Sequence, residues 1–186
     1  MSALETLALS IPECAKDVRL NLGAVLQDGP ALDAGQRCGV ALAVACATGD
    51  AELVRALASE ARTRAGEPVV EDALAAAALM AMNNVYYRFR HRLENPDYAR
   101  RSPQLRMNRL TQPATSKADF ELFALAVSAY NDCETCIRAH ERAVLAGGLG
   151  EDHVHEAVRI AAVVAAAATA RAAAHASSTP TLENPS

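Results

Sequence analysis

Tryptophan is missing from the 186 residues, and phenylalanine and tyrosine together supply only 4% of them. A deep aromatic pocket therefore has little to be built from. A basic excess is missing too: 18 Lys and Arg stand against 22 Asp and Glu, a net charge of −4, which argues against a nucleic-acid surface. The longest uncharged apolar run, residues 160–170 between Arg159 and Arg171, is too short to span a bilayer, so no membrane partner is expected. Residues 1–10 lack a basic start and contain Glu5, unlike a signal peptide. No nucleotide-binding fingerprint and no strand signal occur anywhere. Cysteine numbers five, an odd count, and Cys14, Cys38 and Cys46 have no obvious partners. A secreted disulfide framework is thereby disfavoured, and a reducing cytoplasm suits the chain.

What is abundant is alanine, within a hydrophobic fraction of 51%. Small side chains of high helix propensity favour helices packed at close range. The pattern predicts an all-α fold of about seven to eight helices, with residues 1–176 as a single helical domain. Pro12 and Glu13 open a helix to about residue 27 that buries Val18, Leu22, Val25 and Leu26, before Asp28-Gly29-Pro30 ends it. Further helices are expected at about 33–47, 51–62, 69–93 and 104–110. Ser116-x-x-Asp119 is a loose capping box, and the helix it opens carries an inward stripe of Phe120, Phe123, Val127 and Tyr130. A cysteine-bearing helix to residue 146 and a last one at 151–176 follow. Residues 177–186 read as a disordered C-terminal tail. Ala41-Leu42-Ala43-Val44 recurs as Ala124-Leu125-Ala126-Val127, which suggests a duplicated helical unit whose first copy lacks the chemistry.

The chemistry is in Asn131-Asp132-Cys133-Glu134-Thr135-Cys136-Ile137-Arg138-Ala139-His140. Asn131 or Asp132 is expected to cap a helix that places Cys133 in its first turn. There the unpaired backbone N–H groups and the positive dipole end favour a thiolate. Cys133, Cys136 and His140, spaced i, i+3 and i+7, share one face. The functional reading is a dithiol/disulfide redox centre with a histidine in reach. Two others stand beside it: a partial zinc site, short of the usual four ligands, and a fortuitous core pair.

Glu121 lies in the preceding helix. If the two helices form a hairpin turning near Asn131, a rise of ~1.5 Å per residue puts Glu121 and His140 at similar depths. The carboxylate would orient the imidazole, and the imidazole would take the thiol proton. Cys136, four residues from His140, is expected to be the thiol so served, and Cys133 the more exposed resolving thiol.

Glu121 followed by Cys133-x-x-Cys136-x-x-x-His140 resembles the signature of the alkyl hydroperoxidase D family, within the carboxymuconolactone decarboxylase-like superfamily. The resemblance extends through Pro12-Glu13-Cys14-Ala15-Lys16-Asp17, Leu20-Asn21-Leu22, Met82-Asn83-Asn84-Val85-Tyr86-Tyr87-Arg88 and Leu105-Arg106-Met107-Asn108, leaving only the tail outside. Some members carry a second histidine inside the CxxC; Thr135 stands there in this chain. The resemblance implies a helical homotrimer that reduces alkyl hydroperoxides, or the disulfide of a partner peroxiredoxin, alkyl hydroperoxide reductase C. It implies electrons from dihydrolipoamide, by way of a lipoyl-bearing acyltransferase and dihydrolipoamide dehydrogenase, with no metal or flavin bound. A cofactor-free carboxymuconolactone decarboxylase and a non-catalytic helical scaffold are the alternatives.

Overall fold

Capping, more than hydrophobic periodicity, sets where the helices of this alanine-rich chain begin. The structure is a computed structural model that describes residues 3–178. Among them run nine α-helices and no strand: α1 (Ala3–Leu9), α2 (Lys16–Leu26), α3 (Ala34–Thr48), α4 (Ala51–Arg64), α5 (Glu67–Leu93), α6 (Pro96–Arg100), α7 (Lys117–Tyr130), α8 (Glu134–Ala146) and α9 (Glu151–Ser178). Asp33 caps α3 in a full capping box with Gln36, Asp50 caps α4 through the Glu52 and Leu53 amides, and Ser116 caps α7 through Asp119.

The structure departs from the sequence expectation at four places. Residues 3–9 are helical as α1, where no helix was expected. Pro12 opens only a 3₁₀ turn, Glu13–Ala15, before α2 begins at Lys16. Asn95 caps an unforeseen short helix, α6, with Pro96 in its first turn. The helix expected at 104–110 shrinks to the 3₁₀ turn Asn108–Leu110; Gln104 has φ 50°, a left-handed conformation that no α-helix passes through. At the other end, Ser177 and Ser178 still belong to α9. The remainder of the expected tail, residues 179–186, lies outside the described residues.

Helix starts and turns recur at the spacing of that echo. Gln36 and Asp119, at the third position of α3 and α7, are 83 residues apart and bonded to each other, Gln36 Nε2 donating to Asp119 Oδ1 at 2.9 Å. At that same spacing α4 starts where α8 starts, and Gly49 (φ 79°) falls on Asp132 (φ 54°), both left-handed turn residues. Glycine takes that conformation freely, and aspartate is among the few other residues that tolerate it. Asp50, the cap of α4, falls on Cys133, the cap of α8.

α3 and α7 form the centre of the molecule. Residues 36–45 and 120–128 are buried without interruption, so both helices are covered on every side. The stripe expected on α7 is therefore a helix buried all round over residues 120–128, and Tyr130, at its exposed end, stands 41% accessible outside the core. A β-carbon on Gly39 would collide with the Phe123 ring, so glycine is what lets the two central helices meet. α5 and α9 pack across this pair.

By length and composition α9 could cross a membrane (mean hydropathy 1.5), which the count of its uncharged run did not foresee, because alanine carries the average across Arg159. One face of it packs on the bundle, with 39% of its apolar window buried. Ala157, Ile160, Ala161, Val164 and Ala167 are buried against the bundle, and the buried Arg171 guanidinium binds Asp50 at 2.8 Å and Glu52 at 2.5 Å.

Asp72 on α5 fixes the approach to α7. Its buried carboxylate accepts from the Ala114 amide (3.0 Å), the Thr115 amide and hydroxyl (both 2.7 Å) and Arg109 Nε (2.9 Å). Burial alone would raise its pKa; the Thr115, Ala114 and Arg109 hydrogen bonds outweigh it and hold the carboxyl below the usual range. A depressed native pKa contributes stability in full above the unfolded value of about 3.9, and that contribution is lost as pH falls through the native value. Asp72→Asn is expected to cost about 1–3 kcal/mol at pH 7. The gap to wild type should close in strong acid, as denaturant titrations across pH would show.

Candidate functional site

Asn131, Asp132 and Cys133 turn the chain from α7 into α8. Asn131 ends α7, Asp132 makes the left-handed step, and the Cys133 amide returns to the Ser128 carbonyl at 3.1 Å. Cys133 itself is the N-cap of α8, not a first-turn residue behind an Asn or Asp cap as expected. The reason is Asp132, whose positive φ places it in the turn. In the first half an aspartate fills the cap and accepts two amides. Here the cap side chain makes no such hydrogen bond, so the first-turn amides of α8 are left without a side-chain cap and Cys133 stands at the helix start. A helix start of this kind favours the thiolate.

Cys133 and Cys136 are joined in a disulfide with Cα atoms 5.3 Å apart. The exposure expected of them is reversed. Cys133 is wholly buried and Cys136 is 6% accessible, because the tight Asn131–Cys133 turn carries the cap residue back beneath α7. The other thiols are ordinary. Burial pushes the Cys38 and Cys46 thiols up, and Cys14 is exposed.

Glu121 and His140 do meet across the hairpin, His140 Nδ1 lying 2.6 Å from Glu121 Oε2 with both side chains largely buried. The other ring nitrogen, Nε2, faces Met80 Sδ at 3.2 Å. Among the described residues no group of three or more His, Cys, Asp or Glu is arranged to hold a metal ion.

Sequence reading singled out the Met82–Arg88 stretch as distinctive but assigned it no task. The structure shows one face of α5, at Met80, Asn84 and Arg88, serving the site. Asn84 Nδ2 donates to Ser128 Oγ at 3.0 Å, and its Oδ1 accepts from Asn131 Nδ2 at 2.9 Å. Arg88 Nη1 donates to the Asn131 carbonyl at 2.5 Å. The i, i+4, i+8 spacing was available as a signal. That this face turns towards the site was not, since spacing alone does not tell a packed face from a solvated one. Tyr87, Arg90, His91, Glu94, Asn95, Pro96 and Thr135 line an open cleft of about 590 Å³, and of the Cys133–Cys136 segment Thr135 alone reaches it.

Comparison with known proteins gives the family. Residues 96–178, the half that carries the disulfide, match the Carboxymuconolactone decarboxylase family. Alkyl hydroperoxide reductase AhpD of Anaeromyxobacter dehalogenans (strain 2CP-C) is 59% identical over 170 residues, 91% of each chain. The protein of the same description from Methylobacterium sp. (strain 4-46) is 47% identical over 90% of this chain and 94% of its own. That of Rhodospirillum centenum is 44% identical over 90% and 89%. Identity of this order along nearly the whole length places the chain in the alkyl hydroperoxide reductase AhpD family.

Proposed function

We propose that this protein is an antioxidant thiol oxidoreductase that cycles Cys133 and Cys136 between dithiol and disulfide. It reduces alkyl hydroperoxides, the disulfide of a partner peroxiredoxin (alkyl hydroperoxide reductase C), or both. The observation that carries this reading is the disulfide at an uncapped helix start with the Glu121–His140 pair buried beside it. The names of the relatives point the same way. In the reductive half, a thiolate of dihydrolipoamide attacks the Cys136 sulfur; a bond to the donor forms, the Cys133–Cys136 bond breaks, and Cys133 leaves as a thiolate. The donor's second thiol then gives up its proton and displaces Cys136; two electrons have passed to the protein, Cys136 takes one proton, and Cys133 remains the thiolate. In the oxidative half the Cys136 thiolate attacks the terminal oxygen of a hydroperoxide, His140 protonates the departing alkoxide, and Cys133 displaces water from the sulfenic acid.

Cys136, at 6% exposure, is the sulfur through which a reactant presented on another protein would enter, since disulfide exchange needs in-line access to sulfur. The donor is accordingly a lipoyl-bearing acyltransferase recharged by dihydrolipoamide dehydrogenase, in the cytoplasm, with the protein as a homotrimer that binds no metal or flavin of its own. A carboxymuconolactone decarboxylase activity, which the matching family's name raises, has no use for a dithiol.

Thiol counting is expected to show mild oxidant removing two of the five thiols within one chain. In stopped-flow, lipoyl domains should reduce the oxidised protein faster than glutathione at equal thiol concentration. The reduced protein should pass electrons to the peroxiredoxin disulfide faster than to alkyl hydroperoxide. The reverse order in the last pair would leave a free-standing peroxidase.

A further inference from the structure

Both ring nitrogens of His140 face acceptors. Nδ1 is 2.6 Å from the Glu121 carboxylate and Nε2 is 3.2 Å from the Met80 thioether. A carboxylate accepts only, and a thioether accepts weakly and never donates. A neutral imidazole has one N–H and one lone pair, so beside an ionised Glu121 it would set a lone pair against one of the two. One more proton relieves the conflict. It can reside on the ring, as imidazolium beside carboxylate, or on Glu121, which then donates to Nδ1. In either distribution Nε2 carries hydrogen and points it at sulfur.

Met80 is held in place to receive it. It is fully buried, and Asn84 Nδ2 lies 3.9 Å from its sulfur. The same amide group donates to Ser128 and accepts from Asn131, so shifting Met80 disturbs the links from α5 to α7 and to the turn before Cys133. The residues paired with His140 are thus Glu121 from α7 and Met80 from α5, and Glu121 is the sole charged one.

We propose that Met80 is a positioning residue that parks the proton of His140 Nε2 while Cys133–Cys136 is oxidised, ready for the thiolate released on reduction. The step rests on the dithiol-donor reading above. Attack at Cys136 expels Cys133 as a thiolate at the helix start, where backbone N–H groups stabilise it without a proton from His140. Cys136 has no such surroundings. When the donor's second thiol closes the donor disulfide, the bond from donor to Cys136 breaks and its electron pair stays on Cys136. That sulfur takes the Nε2 proton while the donor's second thiol gives its own to water; His140 takes the proton back when Cys136 next attacks, passes it to the alkoxide, and is recharged from water once the disulfide has re-formed. A thioether suits the parking place because it holds an N–H too weakly to compete with a thiolate.

The test is ¹⁵N-histidine NMR of the oxidised protein at neutral pH, with dihydrolipoamide reduction followed by stopped-flow. In wild type, Nε2 of His140 is expected to carry hydrogen. In Met80→Leu, which keeps volume and apolarity, Nε2 should be bare at the same pH, and release of the Cys136 thiol should slow roughly 3- to 10-fold, the weight of one modest hydrogen bond. Met80→Gln, whose amide oxygen can accept, should restore the Nε2 hydrogen. A bare Nε2 in oxidised wild type overturns the proposal, and so does a Met80→Leu spectrum identical to wild type. Should a variant not fold, the wild-type spectrum decides. Failure of dihydrolipoamide to reduce wild type would remove the donor reading and leave that spectrum to judge Met80.

Discussion

Cys136→Ser is expected to abolish peroxide consumption and to leave no sulfenic acid that a dimedone-type reagent can trap. Cys133→Ser should also stop turnover but leave a trappable sulfenic acid on Cys136. Access and proton supply assign the attack to Cys136. It is the cysteine with measurable exposure, and it stands one helical turn from His140. Cys133 is wholly buried, and its cap position at the helix start makes it the more stable thiolate. Thiol exchange divides labour along that line: attack needs an accessible sulfur, while leaving favours the lower-energy thiolate. Loss of Cys133 removes the partner that condenses with the sulfenic acid, so that species accumulates and then climbs to the sulfinic acid. Mass spectrometry after a single peroxide addition reads both outcomes. A sulfenic acid trapped on Cys133 in the Cys136→Ser protein would reverse the assignment.

Much of this arrangement was legible before any coordinates. The helix start at Ser116 announced itself through capping chemistry, which acts over three residues and needs no tertiary context, and the starts expected near 33 and 51 fall behind the caps Asp33 and Asp50. The approach of Glu121 to His140 followed from counting residue depth along two arms of a hairpin. The misreadings share a different origin. That Cys133 is the cap depends on Asp132 taking a left-handed conformation, a choice settled by how α8 packs under α7. The reversed exposure of the two cysteines follows from the same turn. Residues 104–110 carry helix-compatible side chains, yet Asp72 draws Arg109, Ala114 and Thr115 onto α5 and holds the segment open. In each case a contact distant in sequence overrode a local preference. The internal echo was read from four matched residues in a composition where chance repeats are common. The bond between Gln36 and Asp119 and the paired left-handed turns give it physical content.

Glu121 and His140 should behave as one unit in a double-mutant cycle. Glu121 touches the chemistry only through Nδ1 of His140, at 2.6 Å. His140→Gln removes the group that moves protons, and loss of such a group costs ~10²–10⁴-fold in turnover. Glu121→Gln keeps the shape and a hydrogen bond but not the charge that steadies a ring bearing two protons; its loss is expected to be smaller, roughly 10–10²-fold. With His140 already replaced, the carboxylate has nothing left to orient, so the second substitution should cost almost nothing. The double variant should therefore match His140→Gln alone, far short of the product of the two single losses. Circular dichroism should show the helical fold intact in all three, since neither side chain belongs to the apolar core cluster. Steady-state rates on the wild type and the three variants complete the cycle. Multiplicative losses would mean that Glu121 acts on the thiols or the substrate by a route that does not pass through His140.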